Sequence, residues 1–200
     1  MYKTKKLVTL AILASLGTVL MYFEIPLTNV FKVDASDLTV IISTVIYGPI
    51  GGIIVAFLKS LLHFLVKRGE TGVGLEEIIA FTASMVYVLP FYFSMKYSKK
   101  IFNNNKILIR LIPTIVATIA MIVILPTLNY LIFFKLYFIY TNIPYTHNLI
   151  YTGAVATIIP NIIKGVFLST AFIILSFRLE QIVLKLDVSD NHFKNLLSED

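Results

Sequence analysis

Two lysines carry the most pointed chemistry in this sequence, because both sit where charge is expensive. Lys59 and Lys164 each interrupt a long apolar stretch. An ammonium at the centre of a membrane-spanning helix costs about 2.5–3.5 kcal/mol on insertion scales, so such a group faces a protein interior or a cavity. Around the second lysine the chain reads Pro160-Asn161-Ile162-Ile163-Lys164-Gly165. Asn161 and Lys164, three residues apart, share a helical face, and Thr157 joins them one turn earlier. An amide offers donors and an acceptor, and an ammonium offers donors alone. Together they suit the carbonyls and ring nitrogens of a polar heterocycle. The alternative is that Lys164 snorkels or pairs with a carboxylate and only stabilises a bundle. Pro160 also leaves a carbonyl one turn earlier without its helical donor, near the same face.

Other polar residues lie in or beside apolar stretches. Asn129 follows Pro126 and precedes Tyr130. An asparagine in lipid must find a partner, either a ligand or a neighbouring helix. Lys59 and His63 are one turn apart, and Asp34 and Asp37 stand at the entrance to another apolar stretch. An Asp37–Lys59 pair is expected, with a structural or a functional role.

The chain offers little for catalysis. It has no cysteine, and its three histidines, His63, His147 and His192, lie far apart. No H-E-x-x-H or comparable metal-ligand spacing occurs. The dispersed acids supply no nucleophile–base pair, so neither an enzyme nor a bound metal or cofactor is expected. The segment Lys67–Gly74 contains three glycines, which permit close backbone approach to a ligand or loop. It is no phosphate-binding loop, because G-x-x-x-x-G-K-[ST] is absent throughout. Active transport by this chain would therefore draw on a partner or an ion gradient.

These residues need elements to position them, and composition says which kind. The chain is 58% hydrophobic and 14% charged, against roughly half and a quarter in soluble domains. Two hundred residues cannot hide that much apolar surface from water, and lipid is the natural solvent. The expectation is an all-α integral membrane protein, a single domain over residues 1–200. Apolar stretches place spans near 7–23, 36–47, 50–66, 76–97, 109–134 and 149–177. A cytoplasmic tail, 178–200, would lie along the interface.

The stretch 36–66 reads as one helix or as two broken at Gly48-Pro49, and charge decides between them. With two helices, eleven Lys and Arg fall on the side of the termini and four on the other. One helix would place more of them outside. The positive-inside rule selects six spans with both termini in the cytoplasm. It also accounts for the net charge of +6 without nucleic acid, since no basic, aromatic-interleaved stretch lies outside the spans. The first span carries two small-residue pairs, Ala11/Ser15 and Ala14/Thr18, that allow close approach of another helix.

In order and spacing the chain resembles the substrate-binding S components of energy-coupling-factor vitamin transporters, most of all their riboflavin-specific members. The matching elements are Leu10-Ala11-Ile12-Leu13-Ala14-Ser15, Phe31-Lys32-Val33-Asp34-Ala35-Ser36-Asp37, Tyr47-Gly48-Pro49-Ile50-Gly51-Gly52, Leu58-Lys59-Ser60-Leu61-Leu62-His63, Thr71-Gly72-Val73-Gly74, Asn129-Tyr130, and Pro160 to Gly165. The resemblance implies a six-helix bundle with a vitamin pocket near the outer face, bound riboflavin being transported substrate rather than cofactor. It implies ligand contacts from Asn129, Asn161 and Lys164, and from Asp37 and Thr39 at the start of the second helix. Tyr130 is the expected stacking ring in a chain without tryptophan.

It further implies that Ala11 and Ser15 dock onto the transmembrane coupling subunit EcfT, driven by two cytoplasmic ATPase subunits. Three departures stand out: Ser15 replaces an alanine, Ser60 follows Lys59 in place of asparagine, and Gly74-Leu75-Glu76-Glu77 replaces a Gly-Glu then Asn-Phe pattern. The alternatives left open are an S component for another vitamin or heterocycle and a stand-alone secondary transporter.

Overall fold

A computed structural model describes residues 2–26, 32–67, 74–102 and 105–186. The chain begins with α1 (Tyr2–Tyr22), followed by a small antiparallel pair, β1 (Ile25–Pro26) and β2 (Lys32–Val33), with Ile25 opposite Val33. Then come α2 (Asp37–Lys67), α3 (Leu75–Ile101) and α4 (Lys106–Leu128). A π-helical turn over Asn129–Phe133 leads into α5 (Phe134–Thr141), and α6 (His147–Ala156) and α7 (Ile158–Leu186) complete the bundle. Most of segment 67–74, Phe31, and the tail beyond Leu186 fall outside the described residues, so the expected loop and the end of the tail are not placed.

The break anticipated at Gly48-Pro49 is present and is sharper than a kink. Gly48 has φ 78 and ψ −177, a left-handed φ that only glycine adopts freely. Lys59 Nζ lies 2.5 Å from Asp37 Oδ1. A straight helix would separate those residues by roughly 33 Å. Residues 37–47 and 49–67 therefore run antiparallel as two limbs. Gly52 allows the limbs to touch, since a Cβ there would overlap the Thr44 hydroxyl. Among the described residues, five helical stretches are long and apolar enough to cross a bilayer. The reversal within α2 divides one of them, giving six segments.

The two small-residue stripes of α1 have different environments. Ala14, Gly17 and Thr18 are buried, whereas Ala11 and Ser15 are exposed. Thr18 Oγ1 donates to the Ala14 carbonyl and lies 3.4 Å from that of Lys59, and Gly17 accommodates Thr39 and the Lys59 stem. The core beneath is apolar: Ala14 from α1, Val40, Ile41 and Val55 from α2, Tyr87 and Phe91 from α3, Met121 from α4 and Phe172 from α7. Phe91 meets Phe172 edge-on at 4.9 Å. Large apolar side chains such as Leu16, Phe57, Ile119 and Ile163 point outward, as lipid requires.

Two helices differ from the sequence expectation. The stretch expected to end at 134 runs on through the π-turn to Thr141, where Asn142 closes it with φ 54. The last stretch starts at His147 and is interrupted at Thr157. Pro160 cannot donate to the Ala156 carbonyl, and the backbone tightens there into a Thr157 N–H to Ala154 bond of 3.1 Å.

Candidate functional site

A network of two carboxylates and two ammoniums joins three parts of the fold. Asp37, the first residue of α2, accepts from Lys59 through Oδ1 at 2.5 Å and faces Lys164 of α7 through Oδ2 at 2.7 Å. Asp34, in the link before α2, stands 3.6 Å from the same Lys164 nitrogen through its Oδ2. Hydroxyl and backbone groups complete the arrangement. Ser84 of α3 donates to Asp37 Oδ1 at 2.5 Å, Lys59 donates to Ser36 Oγ at 2.6 Å, and the Ser36 N–H donates to Asp34 Oδ1 at 2.7 Å. Four formal charges cancel, which is how buried charge is tolerated.

Local sequence explains the placement. Asp34-Ala35-Ser36 forms an Asx turn, with the carboxylate capping the backbone two residues on. That turn presents both acids to the limb carrying Lys59. The cluster is also deep. Lys6 Nζ lies over the Tyr47 ring at 5.3 Å, which levels the Gly48 reversal with the basic start of α1. Asp37 is one limb, about 16 Å, from that point along the bundle. Burial opposes ionisation of Asp34, but Lys164 and Lys59 outweigh it and hold the carboxyl below its ordinary value.

The other expected ligand residues divide into two groups. Asn161, one turn from Lys164, has its amide Nδ2 buried without a hydrogen-bond partner among the described residues. Such an orphan donor in a folded interior calls for an explanation. Asn129 is buried at the head of the π-turn, together with Phe133. The wider turn rotates the helix by part of a residue, and such turns concentrate at functional sites. Gly165 abuts Thr118, an ideal Cβ falling 2.5 Å from Thr118 Cγ2. Counting 1.5 Å per residue from that contact, Asn129 and Asn161 are separated by ~10 Å along the bundle axis.

Two expected residues have commitments of their own. Thr39 is buried, and its hydroxyl donates to the Ser36 carbonyl at 2.8 Å. The Tyr130 hydroxyl lies 2.7 Å from His147 Nε2, and its ring meets Tyr151 edge-on at 6.3 Å. Thr157, on the face of Asn161, turns its hydroxyl to the Ala154 carbonyl. The pairing of Lys164 with carboxylates, one of its two readings from sequence, is realised.

Sequence reasoning missed three features. Glu77 accepts or shares a proton with His63 Nδ1 at 3.1 Å, both groups buried, with Tyr22 packed against the imidazole at 5.1 Å. Asp34 reaches Lys164. A chain of hydroxyls, Tyr87 to Ser169 to Thr118, links α3, α7 and α4 at 3.2 Å per step. The only available signal was the unusual density of polar groups at helix-face spacing. No group of three or more metal-ligating side chains occurs among the described residues.

Comparison with known proteins adds an independent line. The family model described as ECF transporter, substrate-specific component matches residues 5–176. The chain is 33% identical over 138 residues to the riboflavin transporter FmnP of Bacillus subtilis, covering 68% of this chain and 70% of that one. It is 30% identical over 190 residues to the riboflavin transporter RibU of Staphylococcus aureus, covering 93% and 96%. With RibU of Streptococcus thermophilus it shares 33% over 191 residues, covering 93% and 88%. A solved structure described as the S component of a bacterial ECF transporter aligns with a TM-score of 0.68 and 31% identity, covering 90% of this chain and 98% of that one.

Proposed function

The chain belongs to the substrate-specific components of ECF transporters, and we propose that its substrate is riboflavin, captured at the outer side of the plasma membrane for import. The observation that carries the reading is the α7 face. There the buried, unpartnered Asn161 amide stands one turn from Lys164, whose side chain keeps 12% of its surface exposed against 1% for Lys59. A donor without an acceptor beside an accessible ammonium suits the carbonyl-rich pyrimidine edge of an isoalloxazine. Asn129, ~10 Å away along the axis, is spaced to meet the other end of a fused three-ring system. Apolar side chains would supply the remaining lining, as in most small-ligand sites.

Asp37 supports Lys164 from beneath, while Thr39 and Tyr130 shape the surroundings through the bonds described above. Ala11 and Ser15, on the outward stripe of α1, are the surface we assign to the transmembrane coupling subunit EcfT, with two cytoplasmic ATPases supplying energy. Both termini lie in the cytoplasm in this arrangement. The chain performs no catalytic step; it binds its substrate and is moved by its partners.

Quenching of flavin fluorescence by the detergent-purified chain tests the ligand, with Asn161→Ala and Lys164→Ala as site variants. Tight wild-type quenching that both substitutions weaken at unchanged fold supports the reading. A folded wild type that leaves riboflavin fluorescence unaltered refutes it.

A further inference from the structure

Lys59 is not among the expected ligand contacts, yet it is the more deeply buried of the two lysines. Its position becomes intelligible when the carboxylate oxygens are assigned one by one. Asp37 Oδ1 is occupied by Lys59 and by Ser84, leaving Oδ2 for Lys164. Asp34 Oδ1 is occupied by the Ser36 N–H, leaving Oδ2 for Lys164. Each acid thus presents one oxygen, and an ammonium has three N–H donors. Lys164 is flanked by these two oxygens at ion-pair distances of 2.7 and 3.6 Å, the second too long for a hydrogen bond, so its three donors are not all committed to the acids.

We propose that Lys59 is a positioning residue for substrate binding: by occupying one oxygen of Asp37 it prevents that carboxylate from capturing Lys164 on both oxygens, and so keeps a Lys164 donor available to the ligand. The proposal rests on the reading that Lys164 meets the substrate. Without Lys59, one ammonium faces two carboxylates. Lys164 is then drawn into them, and the cluster carries an uncompensated negative charge in a medium that disfavours it. A proton taken up by the acids restores the balance.

Among the described residues, few groups face this cluster. The link supplies Asp34 and Ser36, α2 supplies Asp37 and Lys59, and α7 supplies Lys164. From α3 come Ser84 and Tyr87, and from α1 the neutral Gly17 and Thr18. In the native protein two ammoniums balance two carboxylates, so proton uptake by the cluster is not expected on mild acidification.

The test uses the full chain in detergent with Lys59→Met, which removes the charge and keeps most of the stem. Riboflavin binding and thermal unfolding are each followed from about pH 8 to about pH 5.5. We expect wild-type affinity to be flat. The variant should bind about ten-fold more weakly or worse near pH 8, as expected for loss of a charge-assisted contact, and recover several-fold on acidification. Its unfolding temperature without ligand should rise over the same interval, because the folded state binds a proton that the unfolded state does not.

A folded Lys59→Met chain that binds as tightly as wild type, or whose binding and unfolding are as indifferent to pH as wild type, overturns the proposal. If wild type fails to bind riboflavin, the ligand assignment falls, and the unfolding series still decides whether Lys59 balances the cluster. Should Lys59→Met not fold, the charge-balanced pair Lys59→Met with Asp37→Asn is measured instead. Recovery of fold by the pair supports the proposal, and failure of both overturns it.

Discussion

The two halves of α2 and the α6–α7 stretch are comparable lengths of apolar chain with opposite surroundings. Of an 18-residue apolar run in α2, 67% lies buried within the bundle, against 22% of an equal run in the stretch containing α6 and α7. The first is locked by ion pairs, hydroxyls and glycine contacts with α1 and α3. The second meets its neighbours along one narrow face, with Thr118 against Gly165 and Asp37 against Lys164, and gives the rest to lipid. Asn161 and Lys164, the residues proposed to read the ligand, therefore sit on the loosely held wall, while Asp37 and Lys59 sit on the fixed one. A binding site at such a seam combines preorganised electrostatics with a wall that has room to adjust.

The comparison can be broken most forcefully from the fixed side. Asp37→Asn leaves two buried ammoniums facing one carboxylate and should destabilise the fold by about 3–5 kcal/mol, as loss of one partner in a buried pair does. Thermal unfolding would register it, and adding Lys59→Met should restore part of the loss. An Asp37→Asn protein that melts like wild type would show that the fixed wall is not held by its charges.

Effects on the looser wall should be smaller and should appear in binding first. Asn161→Ala removes one hydrogen bond to the ligand and is expected to weaken riboflavin binding by about 1–3 kcal/mol with little change in unfolding. Gly165→Ala forces a methyl toward Thr118 and should cost about 1–3 kcal/mol through overpacking. If the wall adjusts by sliding outward into lipid, the stability cost will be at the low end and the loss will appear in affinity. The smallest effect belongs to the outward face of α1. Ala11→Leu and Ser15→Leu should leave unfolding and riboflavin binding of the isolated chain within about 0.5 kcal/mol of wild type. Riboflavin uptake in cells carrying the partner subunits should nonetheless fall sharply. Unchanged uptake would move the docking surface elsewhere.

Much of this was legible from residue types, and the illegible parts share a cause. The cost of charge in lipid singled out Lys59 and Lys164, and proline rules together with charge asymmetry located the reversal at Gly48-Pro49. Contacts between distant segments carry no such signal. Nothing in the period of α7 says that Asp34 lies against Lys164, and nothing in the spacing of His63 and Glu77 reveals that α2 and α3 bring them together. The π-turn at Asn129 was hidden for another reason, since an unbroken apolar run masks a one-residue change in helical register. The two small-residue stripes of α1 were both visible. Which faced inward was decided only by Thr39 and Lys59, the bulky groups that Gly17 makes room for.

That last detail bears on how freely α1 can drift in sequence. On its inner side Gly17 leaves no space for even a methyl group without displacing Thr39 or Lys59, and on its outer side enlargement of Ala11 or Ser15 would hold a partner away. Variation should therefore collect on exposed positions off both stripes, such as Ile12 and Leu16, where any apolar residue serves. Among natural relatives the first helix should show tolerant and intolerant positions alternating within a single turn, the intolerant ones for two unrelated reasons.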